Sequence, residues 1–179
     1  MSESVEKHRD AAPEKVRVAV LTISDTRTPE TDTGGDTVQE SLERAGHEVL
    51  SRTIVRDEAS RIRTALVDAL ARDDVDAVVT SGGTGISARD TTYEVVDRMI
   101  EKKLDGFGEV FRMLSYEEIG AAAIMSRAVA GAVGTKFVAS LPGSRNAVPI
   151  PSAAVAVDLP ACLCVNNRMR SDSERSRAR

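Results

Sequence analysis

The sequence predicts an α/β fold, with helices layered on a mostly parallel sheet. Short runs rich in valine and isoleucine alternate with helical patterns of period near 3.6. The first run, VRVAVLTIS (Val16–Ser24), is apolar at nearly every position, as expected of a strand covered on both faces. With 179 residues, 41% of them hydrophobic, the chain is long enough to bury a sizeable core as one domain.

The elements follow in order. After the first strand comes a polar, glycine-containing loop, DTRTPETDTGG. Asp36 stands three residues before Gln39 in the pattern of a capping box, and Val38, Leu42 and Ala45 form a helical stripe ended by Gly46. His47–Val55 alternates like a strand near an edge. Arg61–Ala71 sets Ile62, Ala65, Leu66, Ala69 and Leu70 on one face of a helix. Val75–Thr80 is the next strand, and a helix begins near Thr92 with Val95, Val96, Met99 and Ile100 inward. Gly106–Gly120 reads as helical after its glycines, and Ala121–Gly131 (AAAIMSRAVAG) as a helix of small residues. Lys136–Gly143 is a strand entering a Pro-Gly turn.

Composition narrows the function. A net charge of −4 argues against general polyanion or nucleic-acid binding. The basic residues after Asn167 are interleaved with Asp172 and Glu174, so they read as a solvated tail. No run approaches the roughly 20 apolar residues of a membrane span. The opening MSESVEKHRDAA lacks the apolar centre of a secretory signal, so a cytoplasmic protein is expected. Cys162 and Cys164 are too few for a disulfide framework, and His8 and His47 share no zinc motif. The expected layout is a flexible segment over 1–14, the α/β domain over 15–165 and a charged tail over 166–179.

In such folds ligands bind beyond the carboxyl ends of the strands. That points to four loops: Ser24–Gly35, Arg56–Ser60, Ser81–Thr91 and Pro142–Asn146. In the third, Gly82, Gly83 and Gly85 leave backbone N–H groups free to converge on an anion, and Thr91 or Thr92 can cap the following helix. No Gly-Lys-Ser/Thr follows, so it is not a Walker loop. Gly83, Gly85 and Ala88 fit a dinucleotide pattern, but no strand with an acidic tip comes about 20 residues later. Asp57 and Asp90 each stand at a strand-to-helix junction, where one could be an N-cap and the other a turn residue. Together beside a phosphate cradle they suit a magnesium-bound nucleotide. Ser24 and the turn carrying Gly143, Ser144 and Asn146 offer hydroxyl and amide groups, and structural roles fit them equally well; for Ser126, spacing alone favours a buried helix serine bonding its own backbone.

Several motifs now stand in order: TISD at Thr22, Gly35–Asp36, VRDE at Val55, TSGGTG with its Arg-Asp and Thr-x-Glu, GFGEVFRMLSYEEIG, SRAVAG and LPGS. From Val16 to Asn146 the chain resembles the MoaB/MogA family of molybdenum cofactor biosynthesis proteins, most of all its MoaB branch. The resemblance implies the molybdopterin-binding fold, a three-layer α/β sandwich around a mainly parallel sheet. It implies Mg-ATP-dependent adenylylation of molybdopterin, giving adenylyl-molybdopterin and pyrophosphate, or alternatively a non-catalytic molybdopterin-binding or scaffold protein of the same pathway. Asp57 and Asp90 match the family's essential aspartates, linked to Mg²⁺ and catalysis. Ser24, Asp36, Thr80, Ser81, Gly82, Gly83, Thr84, Gly85, Ser126, Pro142, Gly143, Ser144 and Asn146 match positions associated with the pterin phosphate or the nucleotide. A homo-oligomer, trimer or hexamer, is implied too, as are other enzymes of the pathway as partners. Tyr93 and Arg145 stand where the family commonly has proline. Pro149, Pro151 and Pro160 interrupt the region where the family has a closing helix.

Overall fold

The computed structural model of the chain describes residues 15–143. The segments 1–14 and 166–179, Ser144, Arg145, Asn146, both cysteines, His8 and the three late prolines lie outside the described residues. Six strands and four α-helices follow one another: β1 (Arg17–Ile23), α1 (Thr33–Arg44), β2 (Glu48–Val55), α2 (Ala59–Ala71), β3 (Ala77–Ser81), α3 (Thr92–Met99), β4 (Lys102–Lys103), α4 (Asp105–Ile119), β5 (Val129–Val133) and β6 (Lys136–Leu141). A 3-10 helix, Gly120–Met125, links α4 to β5.

The sheet order is β2-β1-β3-β6-β5-β4. β2, β1, β3 and β6 run parallel, while β5 runs antiparallel between β6 and β4. Successive side chains on a strand point to opposite faces, and β1 shows why its sequence is apolar throughout. Val18 and Val20 join Val38 and Leu42 of α1 and Phe111 of α4 on one face. Ala19, Leu21 and Ile23 join Ile62 and Leu66 of α2 and Val96 of α3 on the other. The result is the expected three-layer sandwich, with β2 at an edge.

Two expectations are corrected. Ala121–Gly131 is not a helix: the 3-10 turn ends at Met125, and Val129–Val133 pairs with β6 as a strand. Its five alanines favour a helix, so the strand forms against local propensity, through pairing of Val129–Val133 with β6. The capping residue of α1 is Asp32 rather than Asp36, its carboxylate accepting the Gly35 N–H at 2.9 Å. Asp36 lies inside the first turn, where its charge still suits the helix dipole.

Candidate functional site

The carboxyl ends of β1 and β3 and the turn after β6 open into a cleft of about 510 Å³. Its wall is built from three glycine-containing stretches. Gly82 and Gly83 adopt φ of 103° and 64°, a left-handed conformation that glycine tolerates and other residues resist. A Cβ on Gly82 would strike the Ile23 carbonyl, and one on Gly143 would stand 2.9 Å from the Gly82 Cα. These bare backbones pack close together, and the side of the loop formed by Gly82, Gly83, Thr84 and Gly85 lines the cleft. Gly34, in the first turn of α1, lines it too, and a Cβ there would lie 3.7 Å from the Gly143 carbonyl oxygen and 3.8 Å from Ser81 Oγ.

Most of the sequence-selected residues meet there. Ser24, Ser81, Gly82, Gly83, Thr84, Gly85, Ser126, Pro142 and Gly143 all line the cleft. The Ser24 hydroxyl accepts from the Thr26 and Arg27 N–H groups at 3.3 and 3.2 Å, so it also shapes the loop that leaves β1. Ser126 sits in the bend between the 3-10 helix and β5 rather than inside a helix. Thr80 does not reach the cleft. It is fully buried and bonds Ser140 Oγ across two strands at 2.9 Å. Asp36 also stands apart, paired with Arg52 on the outer side of α1 at 2.6 Å.

Four residues upstream, Asp32 is the carboxylate that does line the cleft. It is 2% exposed and accepts bonds from Thr22 Oγ1 (2.7 Å), Gly35 N (2.9 Å) and Arg52 Nη2 (3.0 Å). A buried carboxylate needs this many donors to remain in place. Sequence reading missed it, together with Thr22, Arg27, Gly34, Ala122 and Met125. The available signal was an aspartate three residues before Gly35 at the start of a helical stripe, an N-cap pattern without the usual Glu or Gln.

Asp57 and Asp90 lie behind the glycine loop. A Cβ on Gly83 would come 2.9 Å from Asp57 Oδ2, and one on Gly85 would come 2.5 Å from Asp90 Oδ2. Asp57 is not an N-cap, since Glu58 holds that position of α2. Its Oδ1 instead faces Thr91, whose N–H and hydroxyl lie 3.5 and 3.4 Å away. Asp90 closes the loop on itself by accepting the Ser87 N–H at 2.9 Å. Asp25 joins the two loops, accepting from Asp57 N at 3.3 Å and from Arg89 at 2.5 Å. Burial pushes the Asp57 carboxyl above its ordinary value, and the carboxylates of Asp90 and Asp25 push the same way.

The same loop therefore has an open cleft on one side and crowded negative charge on the other. Residues 19–156 match the family model described as "Probable molybdopterin binding domain". The chain belongs to the MoaB/MogA family. A relative from Halalkalibacterium halodurans, named Molybdenum cofactor biosynthesis protein B, is 54% identical over 129 residues, which are 72% of this chain and 76% of the relative. A crystal structure of a protein of that name superposes with a TM-score of 0.83 at 45% identity, covering 88% of this chain and 99% of the other. The Pyrococcus furiosus MoaB, described as a tungsten cofactor synthesizing protein, superposes at 0.72 with 37% identity over 82% of this chain and 94% of its own.

Membership of the MoaB/MogA family carries a role in molybdenum cofactor biosynthesis. Among the described residues no helix is long and apolar enough to cross a membrane. Nor, among them, do three or more His, Cys, Asp or Glu side chains gather in an arrangement that could hold a metal ion. Asp57 and Asp90 remain a fit for Mg²⁺, which takes one or two carboxylates and completes its shell with water and substrate phosphates. Burial first, and the Asp90 and Asp25 carboxylates after it, disfavour the charged form of Asp57, a cost that a bound cation would offset.

Proposed function

We propose that this protein is a molybdopterin adenylyltransferase acting in the cytoplasm. One observation carries the reading: the Gly82–Gly85 loop separates a polar cleft from the Asp57 and Asp90 carboxylates, so ligand phosphates and acidic groups can meet across bare backbone. In the proposed reaction a terminal phosphate oxygen of molybdopterin attacks the α-phosphorus of ATP. A phosphorus–oxygen bond forms there as the bond to the β-phosphate bridge breaks, and pyrophosphate leaves. The nucleophile is already an anion, so no strong base is required.

The main barrier is bringing two anions together, and the protein's own groups address it. Backbone N–H groups of the glycine loop orient phosphate oxygens, as does the N-terminal turn of α1 at Gly34. Ser24, Ser81, Thr84 and Ser126 supply further polar contacts inside the cleft. Mg²⁺, held by Asp57 and Asp90, would neutralise developing charge on the phosphates. Tying the Asp25, Asp57 and Asp90 loops together keeps these parts in register.

The test is molybdopterin- and Mg²⁺-dependent pyrophosphate release from ATP. Release by wild type, lost in folded Asp57→Ala, supports the transferase. Tight molybdopterin binding without release would favour the alternative, a non-catalytic binder or scaffold within the pathway. Self-association into a trimer or hexamer belongs to the same proposal. Val110, Met113 and Tyr116 on α4, with Ile124 beyond it, leave apolar side chains exposed. Light scattering showing only a 19.1 kDa species would remove that part.

A further inference from the structure

Each peptide of a phosphate-binding loop carries an N–H and a C=O on opposite sides. If the N–H groups are to face a ligand, the carbonyls must be satisfied behind the loop. Here three successive carbonyls are engaged. The Gly83 oxygen accepts the Thr92 N–H at 3.0 Å, at the first turn of α3. The Thr84 oxygen accepts Arg127 Nε at 3.0 Å, and the Gly85 oxygen accepts Arg127 Nη2. The remaining arm of that guanidinium, Nη1, pairs with Glu94 Oε1 on α3. Its plane lies over the Tyr93 ring, 5.0 Å from the centroid. Arg127 itself does not line the cleft, although Thr84 and Gly85 do. Among the described residues no acceptor meets the N–H groups of Thr84, Gly85 or Ile86.

We propose that Arg127 is a positioning residue for the phosphate-binding loop. Its guanidinium anchors the Thr84 and Gly85 carbonyls from behind, and so turns the following N–H groups toward a phosphate-bearing ligand. Glu94 and Tyr93 fix the guanidinium in turn, one by charge and one by its ring face. Two carbonyls and a carboxylate are met by one rigid, planar fork, which a lysine ammonium cannot reproduce. The inference rests on the loop's proposed role as a phosphate cradle.

The test compares wild type with Arg127→Ala, Arg127→Lys and Arg17→Ala. Arg17 pairs with Asp76 far from the cleft and serves as the control for a merely structural loss. Two readouts are taken: calorimetric titration with Mg-ATP, and hydrogen exchange of the ligand-free protein. Arg127→Ala is expected to bind ATP about 10- to 100-fold more weakly and to exchange the Thr84–Ile86 amides faster, with β1 and β3 amides unchanged. Arg127→Lys recovers part of the affinity, and Arg17→Ala binds as wild type. Unchanged ATP affinity and loop exchange in Arg127→Ala would overturn the role. An equal loss of affinity in Arg17→Ala would do the same. ATP binding by wild type without pyrophosphate release defeats only the transferase reading, whereas folded wild type that binds no ATP defeats the cradle and this role with it.

Discussion

The two ends of the parallel strands carry similar residue types and use them in opposite ways. At the amino end, Arg17 grips Asp76 through a bidentate pair, with Nε–Oδ2 at 3.0 Å and Nη2–Oδ1 at 2.8 Å. Lys136 nearby donates to the Arg72 carbonyl. The Asp76 carboxyl accordingly sits below its ordinary value, held there by the Arg17 guanidinium. At the carboxyl end, Asp57 is raised first by burial and then by two neighbouring carboxylates, with only weak donors from Thr91 to oppose them. Compensated charge at one end serves folding. Accumulated like charge beside glycine at the other is a cost to folding that a ligand or cation can offset.

Breaking the acidic end should give the largest effect. Asp57→Ala or Asp90→Ala is expected to lower pyrophosphate release by about 100-fold or more with the fold retained; residual rates within tenfold of wild type would contradict the assignment. Next is Asp32→Ala, which removes a helix cap and one of the two carboxylates paired with Arg52. It should destabilise the protein by about 3 kcal/mol in urea unfolding, and a change below about 1 kcal/mol would show that Asp32 is not structural.

A subtler contrast comes from pH, in metal-free buffer. The folded value of Asp57 is raised, so its ionised form opposes folding once the pH exceeds the unfolded value. Asp57→Asn should therefore stabilise the protein near neutrality by roughly a few tenths of a kcal/mol after solvent screening. That gain should vanish below the ordinary carboxylate range. Asp76→Asn has the opposite sign. The folded value of Asp76 is lowered, so its contribution is present above the unfolded value and disappears as pH falls through the folded one. Urea midpoints measured from neutral to acid pH check both, and parallel curves for the two variants would erase the distinction drawn between the ends. The smallest effect is expected for Asp36→Ala, an exposed pair with Arg52: stability within about 0.5 kcal/mol and turnover within about twofold. A larger loss of turnover would return Asp36 to the site.

Much of this was legible in the sequence because it is local. The nearly unbroken apolar run over Val16–Ser24 implied two covered faces, and periodicity placed Ile62, Leu66 and Val96 in the core. The glycines at 82 and 83 announced a backbone that other residues could not adopt, and the fold class set Asp57 and Asp90 at the same end of the sheet. Three features were decided only by tertiary structure. Val129–Val133 became a strand because Val129 pairs with Ser140 and Val133 with Lys136, partners that no local pattern of small residues reveals. Asp32 and Asp36 look alike one helical turn apart, yet only Asp32 is enclosed by Thr22 of β1 and Arg52 of β2. Arg127 likewise meets Thr84 and Gly85 across more than forty residues of chain. Propensity and periodicity depend on neighbours in sequence, whereas strand pairing and charge compensation depend on neighbours in space, which exist only after the sheet has formed.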